Sequence, residues 1–380
     1  MSDSTSLLVI GAGLAGYMFA KEWRKLDKTT SLTIITNDHG DYYSKPLLST
    51  ALKNNKTANS LPINNAAEMA EQLDAKIIIN CEVTAIDAIN KMVKADDDWH
   101  GYEQLVLAVG STPIHLMLKG DAVERVHSIN DLKAYSKFRA HLQPNAKVII
   151  VGSGLVGCEF ANDLILSGYQ VDVVSLDNQP LHRLAPPLVG RSVEQSLADK
   201  GVVWHFNEVV KAVDLVPNGL AVVCESGLEL VGQNVLSAIG IKPEVALAKA
   251  AGLTVSRGIV VDSYMQTSDP NIFALGDCVE LNAQLKQYVA PLLHAGRCLA
   301  KTIAGEKTEC IYPVMPVQVK TTLCPVVVVP PVEKNVVWQI EGDLPNIKAL
   351  CYDENKRLHG FALSGACVRE RMQLVNELSI

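Results

Sequence analysis

Two short apolar runs, each followed by a glycine-rich turn and an amphipathic pattern, stand out along the chain. Residues 7–10 and residues 148–151 are all apolar, which is typical of strands buried on both faces of a parallel sheet. The amphipathic patterns behind the turns extend to Leu26 and to Leu166 and predict helices. The chain therefore contains the same strand–turn–helix unit twice.

Each turn has the spacing G-x-G-x-x-G. In this spacing the first glycine permits a tight turn, the second lets the backbone approach a pyrophosphate, and the third lets helix and strand pack closely. The helix N-terminus offers free N–H groups and a positive dipole end to the phosphates. One copy is a weak signal, but two copies in the same context predict two dinucleotide sites. The first site comprises Gly11, Ala12, Gly13, Leu14, Ala15 and Gly16, and the second has its glycines at Gly152, Gly154 and Gly157.

In the first unit, an acidic residue at the end of the second strand is expected to bind the ribose of the dinucleotide. Residues 32–36 form the predicted strand, and Asn37 and Asp38 close it. Asp38 is therefore the candidate ribose ligand. The alternative is that Asp38 only forms a turn beside Gly40.

In the second unit the corresponding position is not acidic. The predicted strand covers residues 171–176, the usual acidic position falls near Ser175, and the first carboxylate beyond the strand is Asp177. No arginine or lysine lies between residues 173 and 180, so a 2′-phosphate would find no cationic partner there. This pattern favours NADH over NADPH, with Asp177 as the candidate ligand.

Length, charge and composition narrow the class of protein. A chain of 380 residues is long enough for two or three domains. Its 34 Lys and Arg against 41 Asp and Glu give a net charge of −7, which argues against nucleic acid as the main partner. No apolar run approaches the roughly 20 residues needed to cross a bilayer, and residues 1–6 do not resemble a signal peptide. A cytoplasmic globular protein is expected.

The cysteines and histidines form no recognisable metal or disulfide motif. The nine cysteines are scattered, with Cys298 and Cys310 the closest pair, and no C-x-x-C occurs. The nine histidines form no H-x-x-x-H or H-E-x-x-H pair, and there is no G-x-S-x-G. We expect buried reduced thiols, no metal centre and no serine hydrolase.

Three further segments resemble those of a known superfamily. Residues 267–277 resemble the second FAD signature of flavoproteins with two dinucleotide sites, while residues 105–110 and 235–243 look like the crossovers between their two domains. In this order, over residues 7 to about 310, the motifs identify the chain as a member of the pyridine nucleotide–disulfide oxidoreductase superfamily. In residues 105–110, Val109 stands where threonine is usual.

The resemblance implies an α/β fold with two Rossmann-like dinucleotide-binding domains, similar to glutathione reductase, and a small α+β C-terminal domain. The cofactors implied are FAD and NADH. The expected domains are a discontinuous FAD-binding domain (residues 1–110 and 240–315), an NAD-binding domain (residues 111–239) and a C-terminal domain (residues 316–380). Within the last, strands are predicted at residues 317–319, 324–329, 336–340, 349–352 and 360–364, and a helix at 368–378.

The cysteines indicate where the electrons leave. Disulfide reductases of this superfamily carry a cysteine pair after the first FAD segment, and NADH peroxidases carry a single cysteine there, but residues 42–49 contain none. Cys158 follows the second glycine turn with no cysteine near it in sequence, so we expect it to be a packing residue. Electrons must then leave directly from the flavin, which suits a one-electron acceptor such as an iron protein.

A closer resemblance points to one acceptor. Residues 43–49 (Y-S-K-P-L-L-S), 157–164 and 315–325 look like segments of the bacterial rubredoxin reductases, and this likeness extends over essentially the whole chain. It implies electron transfer from NADH through FAD to rubredoxin, in alkane hydroxylation or oxygen defence. The alternatives are the reductase of a flavorubredoxin that detoxifies nitric oxide, a ferredoxin reductase, and a flavin-binding signalling protein.

The same resemblance implies roles for individual residues. Asp277 would accept a hydrogen bond from the ribityl chain of FAD, and backbone groups at Val83 and Val289 would complete the FAD contacts. Glu159 would lie near the nicotinamide, on a helix start that we expect to be exposed.

Two lysines would lie beside the flavin. The resemblance places Lys45 beside the isoalloxazine and has Lys320 approach it from the C-terminal domain. A cation there would stabilise the reduced flavin. The resemblance thus makes Lys45, together with Glu159 near the nicotinamide, the candidate catalytic residues. Lys45 and Lys320 would also form a positive patch for an acidic rubredoxin. The alternative for either lysine is an ordinary surface position.

Overall fold

The computed structural model describes residues 4–331 and 336–378. Residues 1–3, part of the N-terminal segment discussed above, lie outside the described residues. The strands are β1 Ser4–Ile10, β2 Leu32–Ile35, β3 Lys76–Ile78, β4 Val83–Asp87, β5 Met92–Ala95, β6 Asp98–Leu107, β7 Ser111–Pro113, β8 Val126–Ser128, β9 Lys147–Val151, β10 Gln170–Ser175, β11 Val203–Phe206, β12 Val210–Val216, β13 Gly219–Cys224, β14 Glu229–Gly232, β15 Asn234–Ser237, β16 Ile241–Pro243, β17 Ile259–Val261, β18 Ile272–Ala274, β19 Val279–Leu281, β20 Val317–Val319, β21 Val326–Val329, β22 Trp338–Glu341, β23 Lys348–Tyr352 and β24 Leu358–Ser364.

Helices connect many of these strands. The α-helices are α1 Leu14–Leu26, α2 Ala66–Leu73, α3 Leu132–His141, α4 Leu155–Leu166, α5 Pro187–Ala198, α6 Ala246–Ala250, α7 Val289–Ile303 and α8 Arg371–Leu378. Short 3₁₀ helices occupy Lys45–Thr50, Ala58–Ser60, Val123–Arg125 and Gly365–Glu370. No helix among the described residues is long and apolar enough to cross a membrane.

The first compact unit comprises residues up to 44, residues 62–112 and residues 241–312. Strands β3, β2, β1, β6 and β18 lie side by side in that order and run parallel, and β5 and β4 extend the sheet from β6 in antiparallel fashion. Leu8 of β1 lies opposite Thr33 on one side and Leu105 on the other. This central position explains why residues 7–10 are all apolar and buried.

The second compact unit comprises residues 45–61, 113–240 and 313–380. It holds a parallel sheet with the order β11-β10-β9-β15-β8 and a three-stranded antiparallel sheet with the order β12-β13-β14. A five-stranded antiparallel sheet, β20-β21-β24-β23-β22, forms the C-terminal part of the unit together with α8. Residues 148–151 lie in β9, at the centre of the parallel sheet, and are buried.

The observed elements confirm the predicted α/β class. The C-terminal strands occur where the pattern of apolar residues predicts them, with bounds that differ by up to two residues. The predicted closing helix over residues 368–378 is shorter than expected, because Gly365–Glu370 forms a 3₁₀ segment and the α-helix begins at Arg371. The last element is therefore split into two helical types.

Candidate functional site

The first glycine turn joins β1 to α1 in the geometry that its spacing predicts. Gly11 has a φ of +107°, and a Cβ there would lie 2.3 Å from the carbonyl oxygen of Ala108. A Cβ at Gly16 would lie 2.0 Å from the carbonyl oxygen of Gly11. By contrast, apart from its neighbours in the chain, no described residue comes within 4 Å of the Cβ position of Gly13. The turn and the helix packing thus require Gly11 and Gly16, while Gly13 leaves an open approach.

The N-terminus of α1 is open to a ligand. Gly13 is the N-cap residue, and no side chain caps the helix. The first N–H groups of a helix have no partner within it, so those of Leu14, Ala15 and Gly16 point out of the helix end. Ala12, in the turn itself, is buried. An anionic group is the natural partner for such an end.

Asp38 lies directly behind β2, as predicted. Its Oδ1 accepts hydrogen bonds from the Thr36 hydroxyl (2.8 Å) and from the N–H of Gly40 (2.9 Å). The turn-forming role of Asp38 is therefore real, and its other oxygen accepts no hydrogen bond from the described residues. Tyr17 fixes the same loop by donating its hydroxyl to the Gly40 carbonyl at 2.6 Å. Asn37 is exposed beside Asp38.

Asp277 follows the strand β18 and a glycine, Gly276, with a φ of +86°. Its carboxylate accepts a hydrogen bond of 3.1 Å from the hydroxyl of Ser111, and its carbonyl accepts one from Gln287. These two bonds fix the position of a half-buried carboxylate at the carboxyl end of the sheet. Val83 and Val289 are the first residues of β4 and α7, and both are half-buried.

The second glycine turn repeats the geometry of the first. Gly152 has a φ of +109°, with a Cβ position 2.7 Å from the Ala238 carbonyl oxygen, and a Cβ at Gly157 would lie 2.0 Å from the Gly152 carbonyl oxygen. Gly154 is the uncapped N-cap of α4 and has nothing within 4 Å of its Cβ position. The two units therefore contain the same kind of turn.

Ser175 is buried rather than available to a ribose. Its hydroxyl lies 2.7 Å from the hydroxyl of Ser153 in the glycine turn, and it accepts the N–H of Asp177. Asp177 is half-buried behind it. A buried hydroxyl at the same sheet edge, that of Ser237, has no hydrogen-bond partner among the described residues. Ser237 pairs with Val151, the residue before the turn, and no local pattern in the sequence marks it as a site residue.

Glu159 is buried, so the expectation of an exposed helix start is wrong. Its side chain is 2% exposed and forms an ion pair with Lys320 at 2.7 Å. The carboxylate also accepts hydrogen bonds from the Ser49 hydroxyl and from the backbone N–H of Lys320 at 2.9 Å. The Lys320 ammonium donates further to the carbonyl of Pro46 and to Ser49. Glu159 is buried because its carboxylate faces residues 45–50 and β20 rather than solvent.

A second carboxylate on α4 holds the same segment. Asp163 lies one turn after Glu159, is fully buried, and accepts the N–H groups of Leu52 (2.9 Å) and Lys53 (3.0 Å). Burial raises the pKa of Asp163 to about 6, although these hydrogen bonds oppose the shift. Lys45 begins the 3₁₀ helix of this segment, is half-buried, and forms no ion pair with any described residue.

The cysteines support a site without a redox thiol. Residues 42–49 contain none, and Cys158 is fully buried with its thiol directed to the Ser153 carbonyl at 3.2 Å. Burial raises the pKa of Cys158, which suits packing rather than nucleophilic chemistry. One cluster was not expected from the sequence, since His294, Cys298 and Cys310 lie together in the first unit.

The geometry of both turns fits bound dinucleotides. Each has an uncapped helix N-terminus, a glycine whose missing side chain leaves the approach open, and a carboxylate behind the next strand. Asp277 adds a fixed carboxylate in the first unit only. The second unit has the hydroxyls of Ser175 and Ser237 at its sheet edge instead. Both units therefore offer a turn that fits a dinucleotide pyrophosphate, and they differ in the polar groups at the sheet edge.

Comparisons with known proteins identify the family of the chain. The sequence model of the family described as pyridine nucleotide-disulphide oxidoreductase matches residues 5–296. The chain belongs to the pyridine nucleotide-disulphide oxidoreductase family. Its members depend on FAD and NAD(P)H, and the chain is a flavin-dependent oxidoreductase of this family. A second model, that of the rubredoxin binding C-terminal domain, matches residues 309–378.

Among similar members of this oxidoreductase family, the rubredoxin-NAD(+) reductase of Alcanivorax borkumensis is 44% identical over 374 residues, which are 98% of each chain. The nitric oxide reductase FlRd-NAD(+) reductase of Aeromonas hydrophila is 32% identical over 99% of this chain and 97% of that relative. The fold resembles the solved structure of a covalent putidaredoxin reductase–putidaredoxin complex, with a TM-score of 0.90 and 24% identity over 99% of this chain and 94% of that chain.

Proposed function

We propose that the chain is an NADH:rubredoxin oxidoreductase. The observation that carries the proposal is the match of residues 309–378 to a rubredoxin-binding domain, joined to an oxidoreductase whose described site region contains no redox thiol pair. The 44% identity to a rubredoxin-NAD(+) reductase along nearly the whole of both chains supports the same assignment. The chemistry that bound FAD supplies is the acceptance of a hydride from NADH and the release of the two electrons one at a time.

The first unit binds FAD in this proposal. The turn Gly11–Gly16 and the N-terminus of α1 hold the pyrophosphate, and Asn37 and Asp38 lie at the ribose. Asp277 accepts a hydrogen bond from the ribityl chain, with Ser111 keeping its carboxylate in place. The backbone at Val83 and Val289 completes the contacts. All of these residues bind FAD or orient it.

The second unit binds NADH. Gly152, Gly154 and Gly157 form the turn that accepts its pyrophosphate, and Asp177 takes the adenosine ribose. No described cation between residues 173 and 180 would neutralise a 2′-phosphate, which supports a preference for NADH over NADPH. The half-buried Asp177 is more accessible than Ser175, whose hydroxyl is engaged by Ser153.

Glu159, Lys320 and Lys45 orient the reacting rings. The buried Glu159 carboxylate ties Lys320 and the 45–50 segment into one arrangement, so its main role is to position these residues for hydride transfer. Because the ion pair neutralises much of the Lys320 charge, Lys45 remains as the cation best able to stabilise a reduced flavin. Hydride transfer needs alignment more than proton transfer.

Rubredoxin docks on the C-terminal part of the second unit. A groove of about 470 Å³ beside β20 and β21 is lined by Lys53, Lys320 and Arg371 among its polar residues. Arg371 is exposed and the Lys53 ammonium reaches the Thr322 hydroxyl at 3.2 Å. Lys53 and Arg371, together with the partly neutralised Lys320, give this groove a positive character that suits an acidic iron protein despite the net charge of −7.

The proposed roles divide the chain into three domains. The FAD-binding domain comprises residues 1–110 and 240–315, the NAD-binding domain residues 111–239, and the rubredoxin-binding domain residues 316–380. We place the enzyme in the cytoplasm, where reduced rubredoxin would serve alkane degradation or oxygen defence. Transfer to a flavorubredoxin that reduces nitric oxide is the second candidate, supported by relatives at 32% identity.

A comparison of acceptors tests the proposal. Steady-state kcat/KM would be measured with NADH and, in turn, a purified rubredoxin, the rubredoxin domain of a flavorubredoxin, and a [2Fe–2S] ferredoxin. We expect the free rubredoxin to be preferred at least about tenfold, which corresponds to about 1.4 kcal/mol of transition-state binding. A preference for either of the other acceptors would refute the assignment of rubredoxin while leaving the flavoenzyme assignment intact.

A further inference from the structure

Three side chains with affinity for soft metals meet at the end of the first unit. His294 and Cys298 lie four residues apart on α7 and therefore on one face of the helix. Cys310 reaches the same place from the segment that follows the helix. One ring nitrogen of the histidine and the two sulfur atoms all lie within 4.8 Å of one another.

The spacing of these atoms suits a tetrahedral ion. A Zn²⁺ ion with bonds of about 2.3 Å to sulfur and about 2.0–2.1 Å to nitrogen places neighbouring S and N ligands about 3.6 Å apart and two sulfurs about 3.8 Å apart. The observed distance from Cys298 Sγ to His294 Nε2 is 3.6 Å. The other separations are at most 4.8 Å, which exceeds the spacing around such an ion by about 1 Å at most.

The surroundings also suit this ion. Cys298 is 7% exposed and Cys310 is 3% exposed, while the half-buried His294 leaves one side accessible for entry. A divalent cation bound by two thiolates is neutral overall, so it avoids the penalty of a buried net charge. The ring of Tyr312 lies 5.9 Å from that of His294 and closes another side of the cluster.

We propose that His294, Cys298 and Cys310 form a binding site for a d¹⁰ transition-metal ion, Zn²⁺ in the first instance, with a water molecule or the Tyr312 phenol as fourth ligand. The ion ties α7 to residues 305–312, the last stretch of the first unit. The site is structural and shares no residue with those assigned to the dinucleotides, although Val289 begins the same helix. It does not depend on which protein accepts the electrons.

The test uses the FAD-loaded enzyme, stripped of metal with a chelator under reducing conditions and dialysed against Zn²⁺. We expect one tightly held zinc per chain. X-ray absorption at the zinc edge should show two sulfur ligands and at least one imidazole nitrogen. Cys298→Ser should remove one sulfur from that shell and weaken zinc binding at least 100-fold. Cys224→Ser, which changes a buried cysteine of the second unit, should alter neither result.

Three outcomes would overturn the proposal. Zinc held only by nitrogen and oxygen ligands would indicate adventitious surface binding, and this result does not require any variant to fold. Recovery of Cys298 and Cys310 as a disulfide-linked peptide from the enzyme purified without reductant, with no zinc retained after reduction, would mean that the cluster is a dithiol. Retention of the wild-type zinc spectrum by Cys298→Ser would likewise rule out this ligand set.

Discussion

Replacing Lys320 with methionine would leave the Glu159 carboxylate buried without its counter-ion. At 2.7 Å the attraction between the two charges is about 6 kcal/mol for an effective dielectric of about 20, and much of it offsets the cost of burying the carboxylate. Removing one partner of a buried pair costs about 3–5 kcal/mol. The carboxylate would keep its hydrogen bonds from the Ser49 hydroxyl and from the backbone N–H of residue 320. We therefore expect the free energy of unfolding to fall by about 3 kcal/mol, at the lower end of that range.

The opposite change is expected to cost less. Glu159→Gln leaves the Lys320 ammonium without its partner, but this side chain is 33% exposed and can be rehydrated. We therefore expect this variant to lose only about 1 kcal/mol of unfolding free energy. For a unit of this size, 1 kcal/mol shifts the unfolding temperature by about 2–4 °C. Lys320→Met should therefore lower it by about 6–12 °C and Glu159→Gln by about 2–4 °C. The double variant should lose less than the sum of the two.

Scanning calorimetry with and without added FAD would measure these shifts and separate unfolding from cofactor loss. Lys25→Met is the matched control, because it breaks a solvent-exposed pair with Glu22 at 2.8 Å and should shift the transition by about 2 °C at most. Equal losses for Lys320→Met and Glu159→Gln, or a larger loss for the glutamine variant, would refute the argument from unequal burial.

Three further predictions follow from the site. Gly13→Ala and Gly154→Ala should both fold normally, since no described residue beyond the chain neighbours lies within 4 Å of either Cβ position. Gly13→Ala should lose FAD on gel filtration, whereas Gly154→Ala should keep FAD and raise the KM for NADH roughly tenfold or more. The reverse pattern would exchange the two cofactor assignments. Burial raises the pKa of Asp163 to about 6, so the folded chain holds this proton more tightly than the unfolded chain, and the resulting stability is lost as the pH rises from about 4 to 6. The unfolding temperature of wild type relative to Asp163→Asn should fall over that range, and a constant difference would disprove the shift. Arg371→Glu should raise the KM for rubredoxin roughly fivefold or more at low salt without changing the NADH-dependent reduction of ferricyanide. An unchanged KM for rubredoxin would show that rubredoxin does not dock in this groove.

Local patterns predict the parts of the fold that depend on neighbours in sequence. The run at residues 148–151 lies within β9, Lys147–Val151, because a central parallel strand needs apolar residues on both faces. The glycine turns are equally local, since Gly11 and Gly152 are required by backbone conformation alone. These features are readable without knowing the tertiary structure.

Features that depend on distant contacts escaped the sequence analysis. The burial of Glu159 results from a lysine 161 residues away in sequence, and no local pattern indicates that meeting. The metal-type cluster was missed for the same reason. The i,i+4 spacing of His294 and Cys298 is visible in the sequence, but the return of the chain that brings Cys310 to them is not.

Anaerobic spectral titration of the FAD-loaded enzyme would show directly whether electrons pass from NADH through the flavin to rubredoxin. NADH is added until the flavin absorbance is bleached, and oxidised rubredoxin is then mixed in by stopped flow. We expect the flavin absorbance to return within milliseconds and two rubredoxins to be reduced per NADH, because a hydride carries two electrons. A flavin that stays reduced in the presence of oxidised rubredoxin, but is reoxidised by another iron protein, would contradict this expectation.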